Sequence, residues 1–505
     1  MMQKKQQGQA PVLSTGISGL DDILSGGLQP GRLYVIEGEP GSGKTTMALQ
    51  FLAEGVRLGE PVLYITLAES TGELEAVADS HGWDMSGIRV HEVIGDESQL
   101  DPAQQYTMFH PGEVEMGETL QQILSAVREH KPVRVVLDSL SELRLLAQNS
   151  LRYRRQILAL KQFFVGRRCT VLLLDDRTAE GPDVQLHSIA HGVIGLYVDT
   201  PTYGQSRRQI QVIKFRGSDF SSGYHDFTIR YAGVTVFPRL VAAQHGETFQ
   251  RSHIESGVSA LDTLLGGGVE RGTSTLLVGP PGCGKSTLAL QYAAAAAARG
   301  DHAASFCFDE TKAALLARSE GIGLRIKEGD GPGQIALRQI DPVEVSPGEF
   351  AVMVRCAVEQ DHAKVVIIDS LNGYLNAMPQ DNFLTAQLHE LLSYLNNQGV
   401  TTFLVVAQHG MLGSNMASPI DASYLADSVI MLRYFEHHGS VKKAISVMKK
   451  RTGGHEESIR QLKFSSSGIM LSEPLLQLRG VLTGVPVEIT KDNRPDSSAP
   501  FPRIS

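Results

Sequence analysis

Leu33-Tyr34-Val35-Ile36-Glu37 runs directly into Gly38-Glu39-Pro40-Gly41-Ser42-Gly43-Lys44-Thr45-Thr46. An apolar strand, a glycine loop of the form GxxxxGK[ST] and a helical pattern from Thr45 follow one another without a gap. Glycines let backbone N–H groups face phosphate oxygens, the helix N-terminus adds positive potential, and the lysine reaches the terminal phosphates. The hydroxyl of Thr45 is placed to meet a magnesium ion. One such match is also what a glycine-rich turn produces, but the chain contains a second. Ser274–Val278 leads into Gly279-Pro280-Pro281-Gly282-Cys283-Gly284-Lys285-Ser286-Thr287, with Ser286 in the place of Thr45.

Working outward, the repeat organises the whole chain. Gly16-Ile17-Ser18-Gly19-Leu20-Asp21 precedes the first loop, and Gly257-Val258-Ser259-Ala260-Leu261-Asp262 precedes the second. Lys44 and Lys285 are 241 residues apart, and Glu69 and Glu310 keep that offset. Later landmarks drift, as insertions in surface loops allow. Two copies of one domain are expected, at residues 1–245 and 246–485, with a flexible, proline-broken tail at 486–505. Short, nearly all-apolar runs at Leu33–Glu37, Pro61–Leu67, Val133–Leu137 and Thr170–Leu174 alternate with helical patterns at Thr45–Leu58, Gly117–Glu129 and Arg154–Gly166. Copy two repeats the apolar runs at Ser274–Val278, Ala304–Phe308, Val365–Ile368 and Thr401–Val406. The pattern predicts an α/β fold in each copy, a mostly parallel sheet covered by helices on both faces. Antiparallel extensions are expected after about Gly195 and Val429.

Composition agrees with a folded chain: 42% of the 505 residues are hydrophobic and 20% are charged. A net charge of −9 argues against coating nucleic acid through bulk charge. No apolar run reaches the length of a membrane span, the N-terminus lacks a signal-peptide core, and four scattered cysteines form no CxxC pair. A cytoplasmic setting without membrane contact is the expectation. His187, His191, His437 and His438 lack the spacing and carboxylate company of a metal site, so they are expected at surfaces or interfaces.

Carboxylates and a basic pair follow each loop in sequence. Asp138 and Asp369 close the apolar runs that follow each loop by roughly ninety residues. They are read as the metal-side aspartates, or else as ordinary strand-end caps. Ala68-Glu69 and Asp309-Glu310 follow the second strand of each copy. A carboxylate there can polarise a water or hydroxyl for in-line attack on a γ-phosphate, or merely begin a helix near Thr71 and Thr311. Lys214 with Arg216, and Lys449 with Arg451, sit on alternate positions of predicted strands. They are either a charged, solvated edge or a phosphate finger offered to a neighbouring subunit.

Together these features resemble the KaiC family, double-domain RecA-like ATPases of the cyanobacterial clock and their relatives in other bacteria. The resemblance rests on the Gly-Ile-Ser-Gly-Leu-Asp opening, both loops, Thr66-Leu67-Ala68-Glu69, Phe308-Asp309-Glu310, Asp138-Ser139, Asp369-Ser370, Lys214-Phe215-Arg216-Gly217 and Lys449-Lys450-Arg451. It covers roughly residues 12–485. It implies tandem RecA-like domains, a two-tier homohexamer, and ATP-Mg2+ at subunit interfaces. Gly41, Ser42, Gly43, Lys44, Thr45 and Thr46, with Gly282, Cys283, Gly284, Lys285, Ser286 and Thr287, would hold ATP. Thr45, Asp138, Ser286 and Asp369 would hold Mg2+. Lys214, Arg216, Lys449 and Arg451 would act in trans, and Asp309 and Glu310 would activate an acceptor hydroxyl. Within Asp421-Ala422-Ser423-Tyr424, Ser423 stands at the family's serine acceptor, while Tyr424 replaces the adjacent threonine. Ala68 replaces the first of two glutamates, leaving Glu69 alone in copy one.

The expected function is a KaiC-like ATPase whose C-terminal ring phosphorylates itself on Ser423, so that its phosphate state selects a regulatory protein partner. An ATP-switched assembly scaffold without autokinase activity is the alternative. A RecA-class DNA motor is a third reading, disfavoured by charge and by the lack of a basic, glycine-rich DNA loop.

Overall fold

In the computed structural model the described residues are 12–93, 111–147, 149–177, 184–376, 384–408 and 424–489. The chain divides into two compact units, Met1–Arg239 and Leu240–Ser505. The cut falls six residues before the one expected from sequence, because Leu240 and Ala242 are buried in the hydrophobic core of the second unit.

The first unit is built on nine strands: β1 (Leu33–Gly38), β2 (Val62–Thr66), β3 (Arg89–Glu92), β4 (Arg134–Asp138), β5 (Thr170–Asp176), β6 (Gly192–Asp199), β7 (Arg207–Phe215), β8 (Tyr224–Arg230) and β9 (Gly233–Phe237). They lie in one sheet of order β3-β2-β4-β5-β1-β6-β7-β8-β9. Neighbours from β3 to β6 are parallel, and those from β6 to β9 are antiparallel. Apart from its edge strand β3, the parallel half is buried on both faces, as its apolar runs require. Leu33 and Val35 of β1 point into one core, while Tyr34 and Ile36 point into the other. Strand β3, Arg-Val-His-Glu, is polar and lies at the sheet edge, which is why hydrophobic patterning did not reveal it.

The second unit opens with the short antiparallel pair β10 (His253–Ile254) and β11 (Val269–Glu270). Its main sheet uses β12 (Ser274–Gly279), β13 (His302–Cys307), β14 (Ile335–Gln339), β15 (Ala363–Asp369), β16 (Thr401–Ala407), β17 (Ser428–His437), β18 (Ser440–Lys450), β19 (Arg460–Ser465) and β20 (Gly468–Pro474). The order β14-β13-β15-β16-β12-β17-β18-β19-β20 reproduces that of the first unit. A final pair, β21 (Leu478–Arg479) and β22 (Val487–Glu488), runs into the segment read from sequence as tail. Ordered structure therefore continues past residue 486.

In both sheets the first strand is central, and the loop leaves its carboxyl end. Parallel register brings Gly38 opposite Asp176, and Thr66 opposite Asp138. In the second sheet, Gly279 lies opposite Ala407, and Cys307 opposite Asp369. Open α/β sheets bind ligands at this carboxyl edge.

Arg134 is a further structural anchor, fully buried at the start of β4. Its guanidinium pairs with Glu60 at 2.5 Å, donates to the carbonyls of Ser14 (2.8 Å) and Phe51 (2.9 Å), and lies over the Phe51 ring. Truncation would leave a buried carbonyl and an acidic partner without their donor. Arg134→Ala is expected to destabilise the first unit by about 3 kcal/mol. The single tryptophan, Trp83, lies in that unit, so urea unfolding followed by its fluorescence reads the loss. A loss below about 1 kcal/mol would show that water replaces these bonds without difficulty.

Two phosphate loops with unequal surroundings

Each loop is closed by a left-handed glycine at the helix N-cap, Gly43 at φ 103° and Gly284 at φ 108°. A Cβ on Gly43 would lie 2.5 Å from Ile229 Cδ1, and one on Gly284 would lie 2.2 Å from the Phe464 ring. Both conformation and space therefore demand glycine. Lys44 donates to the carbonyls of Gly38 and Glu39, each at 3.0 Å, and Lys285 donates to those of Gly279 (2.9 Å) and Pro280 (2.8 Å). Both lysines are buried, and burial lowers the pKa of Lys285. Thr46 and Thr287 are buried on the first helical turn. Ser42 and Cys283 sit at equivalent loop positions beneath Gly38 and Gly279. The Ser42 hydroxyl has no partner, and burial pushes the Cys283 thiol up.

Asp138 and Asp369 stand at the carboxyl ends of β4 and β15, beside the loops. Thr45 Oγ1 lies 3.5 Å from Asp138 Oδ2, which also accepts from the Tyr64 hydroxyl at 2.5 Å. Burial raises the Asp138 carboxyl above its ordinary range, opposed by the Tyr64 hydrogen bond. Asp369 is raised by burial in the same way, opposed by a hydrogen bond from Ser286. A hydroxyl and a carboxylate at the foot of a phosphate loop are hard oxygen donors, the set that Mg2+ takes.

Around the second carboxylates the two units part. Glu69 follows Thr66, whose hydroxyl receives the Glu69 N–H at 2.9 Å and donates to its carbonyl at 2.8 Å. Its Oε2 is buried with no hydrogen-bond partner. Burial pushes the Glu69 carboxyl upward, and the charge of nearby Asp138 adds to that. The following helix is capped by Ser70 in a capping box with Glu73, so Glu69 is not needed as a cap. In the second unit Glu310 is paired with Arg318 at 2.6 Å, and Arg318 also donates to Thr287 Oγ1 at 3.1 Å. Asp309 accepts a hydrogen bond from the Ser370 hydroxyl.

A further asymmetry concerns the lysines. Asp176 Oδ1 lies 2.7 Å from Lys44 Nζ, and neighbouring Asp175 pairs with Arg144 at 2.6 Å. Strand register places Ala407 and Val406 at those positions in the second unit. The sequence reading missed Asp175 and Asp176, although two acids closing an apolar strand were a visible signal. It also missed Arg318, for which hydrophobic patterning offers none.

The basic pairs behave alike in both units. Lys214 donates to the carbonyls of His187 and Ala190, the latter at 2.8 Å, and Lys449 donates to that of Ala426 at 2.8 Å. Arg216 is exposed. Arg451 donates to the Tyr424 carbonyl at 2.9 Å and lies 3.5 Å from Asp427. Thus each lysine ties down a turn, while the arginines remain at the surface. Ser423 lies outside the described residues. His187, expected at a surface or interface, bonds the buried Glu37 at 2.6 Å.

A family model described as "ATPase: KaiC" matches residues 13–241 and again 254–475. The chain belongs to the KaiC family of ATPases. It is 27% identical over 481 residues to the circadian clock protein KaiC3 of a Synechocystis species, a match covering 94% of each chain. It is 25% identical over 505 residues to the circadian clock oscillator protein KaiC of Acaryochloris marina, covering 98% of this chain and 95% of that one. The KaiC of a Picosynechococcus species is 26% identical over 497 residues, with 96% and 94% covered. As a KaiC-family ATPase, the chain carries two RecA-like nucleotide-binding units with the loops at their sheet edges. Among the described residues, no helix is long and apolar enough to cross a membrane.

The Lys44–Asp176 contact would compete with a bound phosphate for the same ammonium. Asp176→Asn is expected to tighten ATP binding in the first unit about fivefold, the worth of a half-exposed ion pair. Titration with a fluorescent ATP analogue, in a Lys285→Ala background that silences the second loop, measures this. Unchanged or weaker binding would show that Asp176 does not oppose phosphate.

Proposed function

We propose that this chain is a two-site ATPase in which the first unit hydrolyses ATP and the second transfers the γ-phosphate to Ser423. Six copies assemble as a two-tier ring in this reading, and the phosphate state of the second tier selects a regulatory protein partner. The observation that carries the hydrolytic part is the unpartnered carboxylate oxygen of Glu69, buried beside Asp138 at the mouth of a phosphate loop.

Lys44 turns from the loop carbonyls to the terminal phosphates, which the glycine N–H groups hold. Thr45 with Asp138, and Ser286 with Asp369, would hold Mg2+, which when bound would neutralise charge on the phosphate oxygens. Glu69 accepts the proton from a water whose oxygen forms the new bond to the γ-phosphorus. The bond from that phosphorus to the bridging oxygen breaks, and ADP and phosphate leave. In the second unit the Ser423 hydroxyl oxygen attacks instead, and Asp309 or Glu310 takes its proton. Arg216 and Arg451, exposed at the ends of their strands, reach a neighbouring subunit's phosphates. Lys214 and Lys449 brace the segments that lead into β6 and β17, and release from their carbonyls would let them contribute charge as well.

Glu69 acts as base only when ionised, and its pKa is raised. Hydrolysis by the first unit should therefore fall on acidification at a pH above the ordinary glutamate range of about 4.3. Glu69→Gln should lower that rate about 100-fold or more and abolish the acid limb. An unaltered acid limb in Glu69→Gln would assign the proton transfer elsewhere.

Intact mass and phosphopeptide mapping after incubation with ATP-Mg2+ test the transfer step. One phosphate on the wild type, absent in Ser423→Ala, is the expected result. Hydrolysis without added phosphate would favour an ATP-switched scaffold. The Arg318–Glu310 pair lends that reading its support, since it occupies one of the two carboxylates offered as the base.

A further inference from the structure

The sequence reading left His437 and His438 without a carboxylate. The fold supplies one. Strand β17 ends at His437, and β18 begins at Ser440, paired with it across a two-residue turn. His438 and Gly439 both have positive φ, 53° and 65°, the signature of a type I′ hairpin turn. That turn brings the two imidazoles together, with ring centroids 3.9 Å apart. Glu488 reaches them from β22. Its Oε1 lies 3.4 Å from His437 Nε2 and 3.2 Å from His438 Nε2, and one ligand atom from each of the three residues falls within 4.8 Å of the others.

The two Glu488 distances are longer than a charge-assisted hydrogen bond, which runs about 2.7–2.9 Å. They match the edge of a tetrahedron around an ion bonded at about 2.0–2.1 Å, close to 3.3 Å. Two imidazoles and one carboxylate, with a fourth position open to water, suit zinc by ligand type and geometry.

The location gives such an ion something to hold. The last segment of the second unit docks on the β17–β18 hairpin through a small apolar cluster, Phe435, Ala444 and Val481, with Leu475 and Leu478 packed against it. Beyond Val481 the apolar side chains of Val485 and Val487 are exposed, so burial does little to hold β22 in place.

We propose that His437, His438 and Glu488 form a binding site for a divalent transition ion of the zinc class, which clips the final β-hairpin to the tip of β17–β18. The site is independent of the nucleotide chemistry. One neighbouring group opposes it: Lys442 donates to His437 Nδ1 at 3.0 Å, which leaves the proton of a neutral ring on Nε2. Binding moves that proton to Nδ1 and turns the lysine aside.

Zinc titration against a chromophoric chelator tests this on the whole protein, with ATP-Mg2+ saturating both loops. The wild type should bind one zinc per chain, with affinity falling at least about tenfold in both His438→Ala and Glu488→Gln. Lys442→Met should bind up to about tenfold more tightly. Zinc should also slow tryptic cleavage after Arg479 in the wild type and leave it unaffected in the two weakened variants. Cobalt in place of zinc should give the intense visible absorption of a tetrahedral site. Absence of zinc binding, or binding equally tight in His438→Ala and Glu488→Gln, would overturn the proposal.

Discussion

The last glycine of each phosphate loop has no room for a side chain, and much of each unit is arranged around that contact. Gly43 faces Ile229 on β8, and Gly284 faces Phe464 on β19, each at a distance that a Cβ would close. The antiparallel half of each sheet is therefore packed against the loop that the parallel half presents. This fixes the height of the loop above the sheet. The buried lysine completes the arrangement by folding back on the loop's own carbonyls.

From this shared frame the two units diverge in charge rather than in shape. The sheets have the same strand order, and Lys214 and Lys449 bond the carbonyls of Ala190 and Ala426 alike. Around the first loop a lone glutamate keeps an unpaired oxygen and a raised pKa, while an aspartate holds the lysine. Around the second, the glutamate is held by Arg318, the aspartate is held by Ser370, and the strand facing the lysine ends in alanine. The Glu310–Arg318 pair is about one-third exposed on both sides, so it adds little stability. Its effect is on availability, because that carboxylate oxygen already accepts a guanidinium N–H.

The same logic separates the two members of each basic pair. Alternation along a strand suggested that lysine and arginine act together, but a bulge interrupts the pairing beside each lysine. The lysine head then turns to carbonyls within its own unit. The arginine, at or past the strand end, remains exposed. Strand period alone could not reveal this, since each arginine falls one residue past the end of its strand.

Local chemistry settled a good deal before any tertiary contact was known. The glycine loops, the apolar strands on either side and the strand-end aspartates Asp138 and Asp369 were legible because each depends on short-range backbone geometry and burial pattern. The repeat was legible because two copies keep the same spacing from Lys to Glu. What the tertiary structure decided were pairings across long separations: Asp176 with Lys44, Ser370 with Asp309, Arg134 with Ser14 and Phe51, and Glu488 with His437 and His438. Such pairs join residues tens to more than a hundred positions apart. Their partners are chosen by strand order and register, which no single stretch of sequence encodes.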